Sequence, residues 1–180
     1  MHTASEWCSA LCEALESDLI GVGEPEFTRL FVHGGEYWTS DHRYHMAMRC
    51  FIRAEDVPEG RMHAQAIRRL RFLRGKLLDD LREADKIFVY RNLRQGLTDP
   101  EIARLHAAVR RHGDATLLCL RRQNATHPHG HLETAAPGLL IGYVDRFSHD
   151  PATGAFLGHV HGALLALCRK ALHMRHATRA

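Results

Sequence analysis

The spacing of hydrophobic residues along the chain predicts helices and strands in alternation. Apolar residues that recur every three or four positions indicate helices at residues 5–17, 61–83, 98–113 and 154–174. Alternating or continuous apolar runs indicate strands at residues 29–33, 36–39, 44–52, 85–90, 115–120 and 139–144. Gly34 and Gly35 are expected to form the turn between the first two strands.

The order of these elements indicates an α/β fold. From residue 61 onward helices and strands alternate, which predicts a mainly parallel sheet flanked by helices. The N-terminal β-hairpin is expected to add antiparallel strands at one edge of that sheet. We therefore predict a single α/β domain over residues 1–180, with a helix and the hairpin in residues 1–60 and the alternating part in residues 61–174.

Composition is that of a globular protein. Hydrophobic residues make up 45% and charged residues 25% of the chain. Acidic side chains interrupt the first 19 residues, which therefore do not resemble a secretory leader. No apolar stretch approaches the roughly 20 residues that span a bilayer. Because five cysteines occur without a leader, we expect reduced thiols in a soluble, cytoplasmic protein.

The charge pattern gives little support for a nucleic-acid partner. The formal net charge is only +3. The basic run at residues 68–76 lies opposite the leucine positions of its predicted helix, and Asp79, Asp80 and Glu83 follow it. This pattern is typical of a solvent-exposed helix face, so we expect no nucleic-acid interface.

Polar side chains follow each of the three predicted parallel strands. In an open parallel sheet, ligands bind beyond the carboxyl ends of the strands. Arginine forks suit phosphate or carboxylate groups, which favours an anionic small molecule. The ligand-binding residues predicted on this basis are Arg91, Asn92, Arg121, Asn124 and Arg146. The alternative is that arginine and asparagine simply occupy exposed loop positions.

Two classes of function are compatible with these residues. The first is a non-catalytic module that binds an anionic small molecule or a partner protein. The second is a transferase or hydrolase acting on a phosphorylated or nucleotide-linked substrate, in which His149 or Asp145 exchanges a proton. The chain contains no glycine-rich phosphate or dinucleotide motif, and we assign no cofactor.

Histidines are concentrated at residues 126–131. His127, His129 and His131 alternate, and alternate residues of an extended chain point the same way, so two of them could chelate zinc or nickel. Candidates for a third ligand are Glu133, His149 and Asp150. Pro128 and Gly130 interrupt the segment, and no helical His-Glu-x-x-His pair is present. A solvated histidine loop is therefore the favoured interpretation, and we assign no metal ligand.

Three segments carry a resemblance to a known family: residues 69–74 (RLRFLR), 85–90 (DKIFVY) and 136–147 (APGLLIGYVDRF). With them the chain resembles a family of uncharacterised bacterial proteins encoded beside sugar-transfer and methyl-transfer genes of surface-glycan pathways. That family is similar to a group described as papain-like cysteine peptidases. The resemblance covers residues 23–170.

The resemblance implies a role in glycan metabolism without peptidase activity. Longer family members carry an N-terminal block, S-L-G-x-N-C-E-F-G, that would hold a cysteine nucleophile, and this chain lacks it. Family members tend to have a His-Thr pair where this chain has Arg49 and Cys50. We therefore expect a truncated or degenerate member that acts as an accessory binding module.

Overall fold

The computed structural model describes residues 4–91, 96–147 and 161–179, which form four helices and seven strands. By their contacts, the residues divide into two units. The N-terminal unit is Ser9–Asp80, and the C-terminal unit comprises Met1–Cys8 and Leu81–Ala180. Because such units can belong to one folded domain, the single-domain organisation stays a prediction.

The N-terminal unit contains a three-stranded antiparallel sheet. Its strands, in spatial order, are β1 (Thr28–His33), β2 (Glu36–Asp41) and β3 (Met46–Arg53). His33 pairs with Glu36, so Gly34 and Gly35 alone make the turn between β1 and β2. Both glycines have the positive φ angles, 60° and 79°, that a two-residue type I′ hairpin requires.

Two helices begin or end in the N-terminal unit and supply part of its core. They are α1 (Ala4–Glu16) and α2 (Glu59–Glu83). One buried group consists of Ala14, Leu19, Val22, Tyr44 and Leu78. A second consists of Tyr37, Cys50, Met62 and Ala66. Buried residues alternate with half-buried ones along β2, which is the pattern of an antiparallel sheet with one face packed on the core.

The C-terminal unit contains a mixed four-stranded sheet. Its strands are β4 (Ile87–Tyr90), β5 (Thr116–Arg122), β6 (Leu132–Ala136) and β7 (Leu139–Val144). Their spatial order is β4-β5-β7-β6. β4, β5 and β7 run parallel, whereas β6 is antiparallel to β7. Its helices are α3 (Asp99–Arg110) and α4 (His161–Arg179).

The core of the C-terminal unit lies around β5 and β7. All six residues of β7 are buried, as are the first five of β5. The main buried cluster consists of Leu118, Leu120, Leu140, Val144, Phe147, Leu167 and Ala171. Packing is close at Gly142, where an added Cβ would lie 3.1 Å from Leu120 Cδ2 and 3.2 Å from Leu167 Cδ1. Continuous burial of this kind is typical of parallel strands with both faces covered.

The predicted α/β class is confirmed, and two details of the sheets differ from the prediction. The predicted mainly parallel sheet is confirmed in part, because β4, β5 and β7 are parallel but the additional strand β6 pairs antiparallel with β7. The N-terminal hairpin is not an edge of that sheet. It pairs with β3 in a sheet of its own, since consecutive strands joined by short turns satisfy one another's backbone hydrogen bonds locally.

The first three helices begin and end within about three residues of the predicted bounds, whereas α4 extends to Arg179, beyond its predicted end at residue 174. At the start of α3, the carboxylate of Glu101 accepts hydrogen bonds of 2.7 Å from the backbone N–H and the hydroxyl of Thr98, as part of a capping box. The predicted residues 154–160 of the last helix lie outside the described residues. Within the described ranges, no helix combines the length and hydrophobicity needed to cross a membrane.

Candidate functional site

Three strands of the C-terminal sheet end at the same edge, here called the carboxyl edge. β4 is parallel to β5, and β5 is parallel to β7. The predicted residues Arg91, Arg121 and Asp145 therefore lie at the carboxyl ends of neighbouring strands. This is the position at which open parallel sheets bind ligands.

β6 brings the histidine segment to the carboxyl edge as well. Because β6 is antiparallel, its first residue, Leu132, pairs with Gly142 near the end of β7. The backbone N–H of Gly130 donates to Tyr143 O (2.8 Å), and the N–H of Tyr143 donates to His131 O (2.9 Å). Two features that are separate in the sequence, the strand-end arginines and the histidines, thus share one edge.

Arg91 carries an unsatisfied polar group. The residue is half-buried, and among the described residues no acceptor forms a hydrogen bond with its buried Nη1. A buried donor without a partner costs about 1–3 kcal/mol, so an anionic oxygen at this position would be favourable. The next predicted ligand residue, Asn92, lies outside the described residues.

Arg121 is bonded within the protein. Its Nε and Nη2 donate to Leu97 O at 3.2 and 3.0 Å, and Nη2 lies 2.5 Å from Asp99 Oδ1. These contacts connect the end of β5 to the start of α3. Only 24% of the Arg121 side chain is exposed, so any ligand would meet a guanidinium that is already shared with Asp99.

Asn124 shapes the loop that follows β5. Its Oδ1 accepts hydrogen bonds from the backbone N–H groups of Thr126 (3.0 Å) and His127 (2.8 Å). The same oxygen lies 3.1 Å from His127 Nδ1. The side chain therefore orients His127, a role different from the predicted direct contact with an anion.

Asp145 and Arg146 form an ion pair with each other. Arg146 Nε lies 3.0 Å from Asp145 Oδ2, and His129 Nδ1 lies 3.2 Å from Asp145 Oδ1. Partial burial tends to raise the pKa of Asp145, but the hydrogen bond and charge of Arg146 and the charge of His129 outweigh it and lower the pKa. Asp145 is thus held ionised. The other predicted proton carrier, His149, lies outside the described residues.

A second cluster at the carboxyl edge was not assigned from the sequence. Ligand atoms of His127, His131 and Glu133 all lie within 4.8 Å of one another. The His127 ring stacks on Tyr143, with 4.4 Å between ring centroids and 8° between planes. The Tyr143 hydroxyl donates to Glu133 Oε1 at 2.7 Å. Burial, followed by this hydrogen bond and the charge of Glu133, raises the pKa of Tyr143.

A groove of about 500 Å³ borders this cluster. Its lining comes from the start of β6 and from α4: Gly130, His131, Leu132, Lys170, His173 and Met174. Lys170 Nζ donates to Gly130 O at 2.7 Å, which connects α4 to the histidine segment. His131 therefore belongs to the cluster and also lines the groove.

Three of the five thiols are not activated for nucleophilic chemistry. Burial raises the pKa of Cys50, Cys168 and Cys119, that of Cys119 to about 12. A catalytic cysteine instead requires a lowered pKa, which a neighbouring positive charge supplies. Cys50, at the position where the resembled family tends to have a His-Thr pair, is buried in the N-terminal unit.

No protein-family model, curated protein or solved structure matches the chain. The resemblance to the bacterial surface-glycan family therefore stays a prediction. The function proposed for the chain depends on the residues at the carboxyl edge.

Proposed function

We propose that this protein is a binding module that holds an anionic small molecule, with a phosphate or carboxylate group, at its carboxyl edge. The parallel pairing of β4, β5 and β7 carries the proposal, because it brings the ends of three arginine-bearing segments to one edge. Arg91 and Arg146 are the proposed anion contacts. Arg121 positions the strand end through Leu97 and Asp99.

The unsatisfied group of Arg91 is the strongest single observation in support of this proposal. Its buried Nη1 has no hydrogen-bond acceptor among the described residues, and an anionic oxygen would supply one. Hydrogen bonds between guanidinium and phosphate or carboxylate are charge-assisted and about twice as strong as neutral ones. An anion at this position would satisfy a group that the described residues leave unsatisfied.

The geometry favours binding over acid–base catalysis. The Asp145 carboxylate is paired with Arg146, and its pKa is lowered, so it is a weak proton acceptor at neutral pH. The raised pKa values of Cys50, Cys119 and Cys168 oppose a role for these three thiols as nucleophiles. A transferase or hydrolase that uses Asp145 and His149 remains the second candidate, on the basis of their position after β7. The family resemblance suggests glycan metabolism as the source of the ligand or a partner protein.

A thermal-shift panel tests the proposal. Inorganic phosphate, sugar phosphates, nucleotides and nucleotide-sugars are added to protein in EDTA, which removes any contribution from metals. A ligand at 100 times its Kd adds about 2.7 kcal/mol, which raises the Tm of a chain of this size by about 5–10 °C. We expect a selective rise for one class of anion.

Variants locate the site. Arg91→Gln and Arg146→Gln are each expected to abolish most of the rise. Arg111→Gln is the matched control, because it removes the same charge from an exposed residue after α3. It should leave the rise in Tm intact. A panel in which no anion raises the Tm, or in which the rise survives both variants, would contradict the proposed site.

A further inference from the structure

Two imidazoles and one carboxylate converge at the carboxyl edge. Nε2 of His127 is 3.4 Å, and Nε2 of His131 is 3.9 Å, from Oε2 of Glu133. We propose that His127, His131 and Glu133 bind a divalent transition metal ion of the zinc class. This site does not depend on the anion site described above, whose proposed contacts are different residues.

The distances suit a shared metal ion better than direct hydrogen bonds. A good N–H···O hydrogen bond spans about 2.7–3.2 Å, which is shorter than either separation. Ligand atoms about 2.0–2.2 Å from one tetrahedral zinc ion lie about 3.3–3.6 Å from one another. The 3.4 Å between His127 and Glu133 is within that range, and His131 at 3.9 Å reaches it by a small side-chain rotation.

Neighbouring side chains already orient two of the three ligands. Asn124 Oδ1 lies 3.1 Å from Nδ1 of His127, which leaves Nε2 for the metal. The Tyr143 hydroxyl donates to Oε1 of Glu133, which leaves Oε2 for the metal. The His127 ring is also stacked on Tyr143. Outer contacts of this kind fix ring orientation and raise ligand affinity in metal sites.

The ligand set indicates the class of metal. Two imidazole nitrogens and one carboxylate oxygen suit zinc, cobalt or nickel, whereas magnesium and calcium prefer oxygen alone and copper(I) prefers sulfur. Three protein ligands leave at least one coordination position for water or another molecule. His131 also lines the groove beside α4, so a molecule in that groove lies next to a ligand of the metal.

Zinc titration of the untagged, chelator-stripped protein tests the proposal. Because the chain has 15 histidines, the titration is run in competition with a chromogenic chelator, which suppresses weak surface binding. We expect one Zn²⁺ per chain. His127→Ala, His131→Ala and Glu133→Gln should each lower the affinity by more than about 100-fold, beyond the 10–100-fold typical of outer contacts. Asn124→Ala removes a side chain that orients His127 and should lower the zinc affinity by the smaller factor of about 10–100.

His129→Ala is the matched control. It removes a histidine of the same segment whose Nδ1 lies beside Asp145 instead of in the cluster, and it should leave zinc affinity unchanged. The metal-free Tm of each variant confirms that it folds. Cobalt(II) supplies a second readout, since its visible absorption reports coordination number and should change in Glu133→Gln even if that variant still binds. No stoichiometric zinc, or equal losses in His129→Ala and His131→Ala, would overturn the site. The anion panel is run in EDTA, so either proposal can fail alone.

Discussion

The two sheets of this protein differ in where a polar side chain can have a chemical role. In the N-terminal sheet, β2 alternates between buried and half-buried residues, and the neighbouring Phe31 and Phe51 are 42% and 72% exposed. In the C-terminal sheet, β5 and β7 are buried over nearly their whole length. Polar groups on these two strands are restricted to their ends.

This difference explains why topology, more than residue type, locates the candidate site. A sheet that is buried on both faces presents functional groups only at its edges, and parallel strands place their carboxyl ends together. The N-terminal sheet has arginines too, but Arg49 is engaged with Glu36 on the sheet surface through hydrogen bonds of 2.5 and 2.6 Å.

The two sheets should differ most in how much stability is lost when a large apolar side chain is truncated. Leu118 in β5 is fully buried, so Leu118→Ala should lower the free energy of unfolding by about 2–5 kcal/mol. Phe51 in β3 is 72% exposed, so Phe51→Ala should change it by no more than about 0.5 kcal/mol. Urea denaturation measures both values. Similar losses for the two variants would mean that the sheets do not differ in burial as described.

Glycine substitutions separate packing from backbone conformation. Gly142→Ala places a Cβ against Leu120 and Leu167 and should cost about 1–3 kcal/mol through overpacking. Gly35→Ala meets no neighbour but must adopt a φ of 79°, at a cost of roughly 1–2 kcal/mol.

Asparagine distinguishes the two causes, because it tolerates positive φ but is larger than alanine. Gly35→Asn should recover most of the stability lost in Gly35→Ala, whereas Gly142→Asn should be less stable than Gly142→Ala. Thermal unfolding of the four variants provides the comparison. Recovery at position 142 would show that the core around β7 accommodates extra volume.

The smallest effect on stability is expected at Asp145, directly after β7. The pKa of Asp145 is lowered in the folded protein, so its stabilising contribution is present above the usual carboxyl range and is lost as the pH falls through the folded pKa. Since 37% of the side chain is exposed, Asp145→Asn should cost less than about 1 kcal/mol at neutral pH. The Tm difference from the unsubstituted chain should shrink in acid.

Asp114→Asn is the control for this effect. Asp114 also pairs with an arginine, Arg110 at 2.8 Å, but its side chain is 85% exposed. We expect no measurable loss of Tm at either pH. A loss equal to that of Asp145→Asn would show that net charge, and not the contacts after β7, accounts for the difference.

Much of the candidate site could be anticipated from the sequence, but its most complete cluster could be named only as one of several alternative sets of metal ligands. The arginines after β4, β5 and β7 follow from the apolar runs that precede them. β6 was missed because its five residues, Leu132–Ala136, have a weak apolar pattern. A signal was present, since Pro137 and Gly138 form the turn between Ala136 and Leu139, with a φ of 75° at Gly138.

The amino-acid sequence by itself determined the α/β class, the hairpin at Gly34 and Gly35, the start of α3 and the buried strands β5 and β7. These features depend on contacts within a few residues or on continuous apolar runs, and both can be recognised in a short stretch of sequence. Only the tertiary structure decided which histidines meet. A hydrogen bond from His131 N to Pro128 O turns the segment, so that His129 lies beside Asp145.

The position of Glu133 likewise depends on the pairing of β6 with β7, which places Glu133 opposite Ile141. A shift of one residue in that pairing would move every side chain of β6 to the other face of the sheet. The meeting of His127, His131 and Glu133 is therefore a property of strand register. The turn at Pro137 and Gly138 and the register shift between Thr134 and Ala136 set that register, and the weak apolar pattern of β6 does not reveal it.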